Sequence, residues 1–547
     1  MAAKPKFVAT EWPEAEFVVG NPPFLGIRLM RDGLGDETVD RLFDVYDGRV
    51  SREADLVCYW FEKARAALES GRSRRVGLVA TNSIRGGANR KVLDRIAVDS
   101  RIFEAWSDEP WIVDGAAVRV SLICFGQGDD ALRLDGNDVA AINPDLTAGI
   151  TNLTRARRLA ENLNVAFMGD TKGGAFDVPG ALAREWLRLP INPNGRPNSD
   201  VLRPWRNGMD MTRRARDMWI VDFGWEMSQQ TASLYEAPFE YIREQVLPER
   251  AQNRRDAYRD RWWRHVEPRP GMWRALQGRN RVIVTPEVSR HRVFAWLSTR
   301  IVPDHKLQVI ARDDDTTFGL LLSKWHLAWS LGVGSWHGVG NDPRYTISSS
   351  FETFPFPDGL TPNIPAGRYE NDPRSIAIAQ AARRLDDLRN AWLNPADLIL
   401  IEPEVVAGYP DRILPRDASA AAILRERTLT NLYNQRPQWL VEAHHELDAA
   451  VAAAYGWPAD ISEEDALARL LELNFARTAV DTASASARTT KKTRRKTPGE
   501  LREQPQFLLP IPGKKQKQQL LPLGGRETVA HRPATATARP GKGRRAG

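Results

Sequence analysis

Cys58 and Cys124 are the only two cysteines in 547 residues. That excludes a disulfide-stapled extracellular scaffold and any zinc site built on cysteine pairs. Both lie in apolar segments, as expected of buried thiols in a reducing cytoplasm. No run approaches the roughly 18 apolar residues that a membrane-spanning helix needs, and the first residues lack the apolar core of a secretion signal. There is no Gly-Lys-Ser/Thr loop of the nucleotide-hydrolase kind. Nor does a carboxylate cluster with a Glu-x-Lys motif occur in a strand context, so nuclease cleavage is not expected. Uniform positive charge is missing too. The formal charge of +7 resides in the tail: residues 481–547 hold 16 Lys+Arg against 4 Asp+Glu, a net +12, and the first 480 hold 61 against 66, a net −5. Any DNA groove must therefore come from local clusters of arginine.

The chain has the length of three or four ordinary domains, and it is organised around Phe17-Val18-Val19-Gly20-Asn21-Pro22-Pro23-Phe24. Three apolar residues read as the end of a buried strand, which glycine breaks. Two successive prolines continue neither a strand nor a helix, so they hold Asn21 and Phe24 in a stiff loop just past the strand. Such a corner suits one task, gripping a planar amino group. The asparagine oxygen and a neighbouring backbone carbonyl can both accept from an NH2, which favours a pyramidal nitrogen with a freer lone pair. The aromatic face can stack the ring that carries it. An ordinary proline turn is the plain alternative.

In these residues the chain resembles the amino-methylating DNA methyltransferases, whose signature is (Asp/Asn/Ser)-Pro-Pro-(Tyr/Phe/Trp). The Asn-first, Phe-last form looks like the adenine-N6 branch. Further along, Val165–Gly169, Trp205–Asp210, Thr285–Ser289, Ser348–Pro357 and Thr428–Pro437 resemble landmarks of the type IIG restriction–modification enzymes, the MmeI-like group. The resemblance covers roughly residues 16 to 475.

The spacing predicts an α/β chain. A strand at 17–19 leads into the loop, and residues 25–52 read as a long mobile loop with a short helix at 36–46. A helix follows at 53–70, a strand at 76–82, a helix at 89–98, and strands at 101–106 and 116–126. The resemblance makes this the second half of a partial doubly wound class I methyltransferase sheet, ending in an antiparallel pair. By alignment Trp60 matches the aromatic that lies against the adenine of S-adenosylmethionine; a core aromatic is the alternative. Trp111, in the turn between the last strands, matches the residue shown to a flipped base, or packs on a neighbouring domain. A complete fold of this type opens with a strand, a Gly-rich turn and a carboxylate about 20 residues later. The 15 residues before the strand cannot hold them, so the cofactor-loop half is expected to be missing, with the sheet edge before residue 16 an association surface. The Gly-rich Phe167–Gly174 has no apolar strand before it and no apolar helix after it, and does not replace that half.

Over residues 160–360 tryptophan and arginine interleave, in Arg203-Pro204-Trp205-Arg206, Arg213-Arg214-Ala215-Arg216 and Arg261-Trp262-Trp263-Arg264. Arginine forks suit phosphates and guanine edges, and aromatics stack or wedge bases; a solvated face is the alternative for any one of them. With short strands at 218–223, 281–285 and 306–310, the block resembles the target-recognition domain of that type IIG group; the resemblance implies a mixed α+β domain with Arg206, Arg213, Arg214 and Arg264 as DNA contacts. A Pro/Gly-rich linker at 355–372 leads to helices at 376–392, 418–432 and 437–455. His444 and His445 read as surface or cap residues, not metal ligands. The expected domains are 1–150 (half of the catalytic domain), 160–360 (target recognition), 366–480 (helical) and 481–547 (a disordered basic tail with weak DNA contacts).

The resemblance implies site-specific adenine-N6 methylation of double-stranded DNA with a flipped adenine, using S-adenosylmethionine, in a cytoplasmic restriction–modification or related phage-defence system. Asn21 and the Pro22 carbonyl would accept from the amino group, Pro23 would stiffen the loop and Phe24 would stack the base. No metal and no membrane partner is expected. The alternative is a truncated or split-enzyme DNA-recognition subunit, inactive alone, whose cofactor half an upstream-encoded chain supplies.

Overall fold

The structure, a computed structural model, describes residues 8–113, 116–128, 131–148, 151–337 and 342–494. Residues Met1–Arg488 form one compact unit. Among the described residues no helix is long and apolar enough to cross a membrane.

The first 148 residues build a six-stranded sheet. Strand β1 (Phe17–Gly20) is followed by helices α1 (Ile27–Leu34), α2 (Asp36–Val45) and α3 (Val57–Glu69), then β2 (Arg75–Thr81), α4 (Gly87–Asp99), β3 (Arg101–Val113) and β4 (Ala116–Gly126). Two short strands, β5 (Arg133–Leu134) and β6 (Asn137–Asp138), complete the order β1-β2-β4-β3-β5-β6. The β1–β2 pair is parallel, and β4 runs antiparallel to both β2 and β3. One face is covered: Val76, Leu78 and Ala80 of β2 and Ile123 and Phe125 of β4 share a core with Phe61, Ala64 and Leu68 of α3 and Val92, Leu93 and Ile96 of α4. Beneath it Glu62, wholly buried, accepts from Arg65 at 2.8 and 3.0 Å and from Arg95 at 3.3 Å.

The structure corrects three expectations. First, β1 is not buried: Phe17 is 59% and Val19 85% exposed, because β1 ends the sheet and helices cover only the face that carries Val18. Second, residues 25–52 are not one long loop; α1 precedes the expected helix, with Met30, Val39 and Phe43 buried. Third, Trp111 is not in a turn. Strand β3 continues through two register shifts to Val113, and Trp111 pairs with Val118. Pro110 is tolerated there because β5 pairs only with Glu104 and Ala105, which leaves that edge of β3 without a ladder to donate to.

The remaining described chain carries two four-stranded sheets. One has the order β13-β9-β10-β8, with β8 Asp177–Pro179, β9 Leu202–Arg206, β10 Met218–Val221 and β13 Val302–Pro303. The other runs β12-β11-β14-β7, with β7 Ala166–Met168, β11 Arg281–Pro286, β12 Ala295–Ser298 and β14 Leu307–Ile310. The C-terminal helices are Pro373–Leu393, Ala418–Glu426, Leu429–Gln435, Gln438–Ala454 and Glu463–Arg494. The last enters the stretch expected as a tail, and residues 495–547 of that stretch lie outside the described residues.

The expected linker at 355–372 is not a free connector: Pro355–Pro357, Leu360–Pro362 and Tyr369 are buried, with exposed residues between them. Phe351, Phe354, Phe356, Leu360 and Tyr369 are buried in one cluster with residues from Leu153 to Leu471. Just before the expected linker, at 351–354, irregular backbone can be buried because side-chain amides take up its carbonyls. Asn162 Nδ2 donates to the carbonyls of Phe351, Glu352 and Phe354 at 3.1, 3.3 and 2.7 Å, and Asn474 Nδ2 donates to Thr353 at 2.7 Å. The Gly-rich Phe167–Gly174 is shaped by packing: a Cβ on Gly169 would lie 2.2 Å from the Asp304 carbonyl oxygen.

Candidate active site and its comparisons

Parallel strands gather functional groups beyond their carboxyl ends, and that end of β1–β2 is where the chemistry-bearing residues meet. Asn21 leaves β1 exposed, Pro22 is buried, Pro23 is exposed and Phe24 is half-buried. The corner therefore keeps one proline in the protein and turns Asn21 and part of the Phe24 ring outward.

The chain leaving the corner is clamped. The Leu56 amide donates to the Leu25 carbonyl at 2.9 Å, and the Ile27 amide donates to Asp55 Oδ1 at 2.9 Å. Asp55 Oδ2 also accepts from Asn89 Nδ2 at 2.7 Å and from Ser83 Oγ at 3.0 Å. Asn89, itself buried, accepts the Asp55 amide at 2.8 Å. One carboxylate thus ties the exit of the corner to the start of α4 and to the segment after β2. Sequence reading missed Asp55, Ser83 and Asn89. The usable signal was polar residues placed directly after an apolar strand and directly before an apolar helix.

Next to them, Asn82 Nδ2 donates to Asp108 Oδ1 at 2.7 Å, and Arg119 Nε donates to the same oxygen at 2.7 Å. That bond holds the Arg119 guanidinium firmly protonated, its pKa raised above the usual value. Thr81, the last residue of β2, pairs with Val120, so Trp111 and its partner Val118 lie two residues further out. Trp111 therefore lies about 7 Å beyond the end of β2 at strand spacing, on a β3–β4 ribbon that overhangs that end. Trp111 is 37% and Ile112 76% exposed. Trp60, on α3, is half-buried against the sheet core.

The four arginines separate. Arg206, Arg213 and Arg214 line one cavity of about 730 Å³ between residues 204–219 and the helix Pro373–Leu393. Arg264 is elsewhere, donating to the carbonyls of Trp225, Glu226 and Met227 at 2.6, 3.0 and 2.9 Å. Those bonds occupy all three of its nitrogens and tie down a loop. Among the described residues no group of three or more His, Cys, Asp and Glu could hold a metal. His444 is half-buried and shares a 2.9 Å hydrogen bond with the Tyr433 hydroxyl.

Residues 4–133 match the family model of the MmeI DNA-methyltransferase domain. They include the Asn21–Phe24 corner, Asp55, Trp60 and Trp111. Among solved structures, the type IIL restriction–modification enzyme MmeI in complex with DNA matches with a TM-score of 0.63 at 20% identity, over 85% of this chain and 57% of that one. The two share a fold, and this chain spans little more than half of MmeI's length. The type IIG restriction endonuclease BpuSI (TM-score 0.24, 10% identity, 81% and 54% covered) and a DrdV–DNA complex (0.32, 11%, 84% and 57%) align too loosely to carry an argument. No curated protein matches the sequence. The match to that family model thus ends where β5 begins, and the likeness of fold to MmeI extends well beyond it.

Proposed function

We propose that this chain grips and presents an adenine of double-stranded DNA for methylation at N6, as part of an MmeI-like restriction–modification or related phage-defence system. The observation that carries the reading is the clamped Asn-Pro-Pro-Phe corner at the carboxyl end of β1, inside residues that match a DNA-methyltransferase domain. Asn21 Oδ1 and the Pro22 carbonyl accept from the amino group, and Phe24 stacks on the extruded base. Pro23 limits the corner's freedom, so little reorganisation is needed as the nitrogen turns pyramidal. Trp111 lies on the overhanging ribbon, where it can meet the extruded base or the gap it leaves. Recognition falls to the arginine-lined side of the molecule.

The methyl donor on this reading is S-adenosylmethionine. The described residues offer it Trp60, half-buried on α3, but no strand with a Gly-rich turn beside β1. They do not by themselves make a complete cradle, so the chemistry assigned to this chain is confined to the amino group. A second reading has its own support in β1, whose outer edge carries no strand among the described residues and whose Phe17 and Val19 are exposed. On that reading the chain recognises DNA and grips the base, and is inactive until further polypeptide pairs with β1.

Calorimetric titration of S-adenosylmethionine separates the two, run on the purified chain and again with any protein encoded immediately upstream. Heat with the chain alone supports a self-sufficient enzyme, and heat only with the second protein supports the split form. If methyl transfer to duplex DNA is detected and survives Asn21→Ala, the role given to the corner is wrong.

A further inference from the structure

The cavity beside helix Pro373–Leu393 contains more positive charge than its own carboxylates neutralise. Asp217 and Glu404 both bind Arg184, with contacts from 2.6 to 3.3 Å. Asp210 binds Arg216 at 3.0 Å, and Asp386 is 3.6 Å from Arg389. Those pairs close on themselves, and the remaining carboxylate of the lining, Asp411, is outnumbered by the arginines left over. Arg206, Arg213, Arg214 and Arg425 also line the cavity, and among the described residues none has a carboxylate within 4.0 Å.

Two of these are costly to leave so. Arg206 and Arg214 are half-buried, and burial lowers the pKa of both. Arg206 Nη1 donates to the carbonyls of Trp205 and Arg216, each at 3.0 Å. Arg214 Nη1 donates to the Leu393 carbonyl and Asn394 Oδ1, each at 3.0 Å. Neutral acceptors compensate part of a charge, more so for Arg214, whose acceptors lie at the carboxyl end of helix Pro373–Leu393. They leave Nε and Nη2 of both side chains without a hydrogen bond among the described residues. A desolvated cation is ordinarily paired, and a guanidinium with two open donors fits the paired oxygens of a phosphate or a carboxylate; of these, DNA offers the phosphate.

We propose that this cavity is a phosphate-binding site, occupied by the DNA backbone, with Arg206 and Arg214 on its wall and Arg213 and Arg425 exposed at its mouth. The choice of DNA as the source rests on the function proposed above; the site itself rests on the unpaired guanidiniums. A phosphodiester is presented in series along a duplex, so cations at the mouth and on the wall can share adjacent groups. Such contacts would set the register of the recognition segment without reading sequence.

The full-length chain is titrated with fluorescent duplex DNA over a range of salt, as Arg206→Gln and as the exposed double variant Arg213→Gln/Arg425→Gln. Pyrophosphate binding is measured in parallel by calorimetry. Each lost phosphate contact should reduce the slope of log affinity against log salt by about 0.9. The expected result is a slope smaller by one to two contacts in both variants, with weaker binding to every sequence alike. An unchanged slope with loss of pyrophosphate binding would refute the DNA assignment in favour of a small phosphate ligand. An unchanged slope with pyrophosphate binding unaltered or absent would refute the site. If the wild-type chain binds no DNA, the function proposed above fails, and pyrophosphate binding still decides the site. The double variant guards against Arg206→Gln failing merely through misfolding.

Discussion

Asp55→Ala tests whether the corner is held from behind. The carboxylate accepts from a backbone amide and two side chains at 2.7–3.0 Å. Each such bond to a charged group contributes about 1.5–3 kcal/mol. They are not additive, and the site is only part-buried, so the local loss should be about 3 kcal/mol rather than the full sum. At 1.4 kcal/mol per decade that is about a hundredfold less protection of the Ile27 amide in hydrogen exchange. The helix Val57–Glu69 should keep its protection, because its buried face packs on the sheet independently of Asp55. Asp55→Asn, which retains one acceptor oxygen, should recover part of the loss. In a reconstituted methylation assay both variants should lower turnover more than DNA affinity. Unchanged exchange at Ile27 in Asp55→Ala would refute the clamp, and loss of protection throughout α3 would show that Asp55 supports the fold rather than the loop.

Further perturbations probe other parts of the molecule. Asn21→Ala should cut methyl transfer at least a hundredfold, roughly the effect of losing one polarising contact, with DNA affinity in gel shift little changed. Glu62→Ala should destabilise the chain by about 3 kcal/mol in urea denaturation, since it strips a wholly buried carboxylate from Arg65 and Arg95. Asp448 accepts the Lys324 amide at 2.7 Å, and burial raises its pKa to about 6. Its folded form holds the proton more tightly than the unfolded chain. The stability this confers is complete below pH 3.8 and is lost as the pH rises to about 6. Asp448→Asn should therefore raise the melting temperature at pH 7–8, by the equivalent of up to about 3 kcal/mol, and leave it nearly unchanged at pH 4.

The sequence made much of this architecture legible, for identifiable reasons. Proline pairs and apolar periodicity are local signals, so the corner after β1, helices α3 and α4, and β2 and β4 could all be read directly. Exposure is not local. Phe17-Val18-Val19 looks buried until one knows that β1 is terminal in the sheet. The extension of β3 past Pro110 depends on where β5 stops pairing. The clamp brings together Ile27, Asp55, Ser83 and Asn89, which no spacing rule connects. The four arginines had equal standing as residues, and only their partners separated Arg264, whose nitrogens are all taken by carbonyls, from Arg206 and Arg214, whose forks are half open. The Pro-rich 355–372 reads as a linker because proline and glycine punctuate it; the burial of its apolar residues depends on distant donors, Arg312 to the Pro362 and Ile364 carbonyls and Tyr455 to that of Pro355, and follows a stretch, 351–354, whose carbonyls take amides from Asn162 and Asn474, each more than 100 residues away.

That amide-lined passage has a bearing on protein engineering. Because Phe351, Phe354 and Phe356 sit in an interior assembled from Leu153 through Leu471, the segment proposed to read DNA cannot be exchanged as a cassette cut at residue 360. A chimera with new specificity would have to transplant that whole span, or alter individual rim side chains in place.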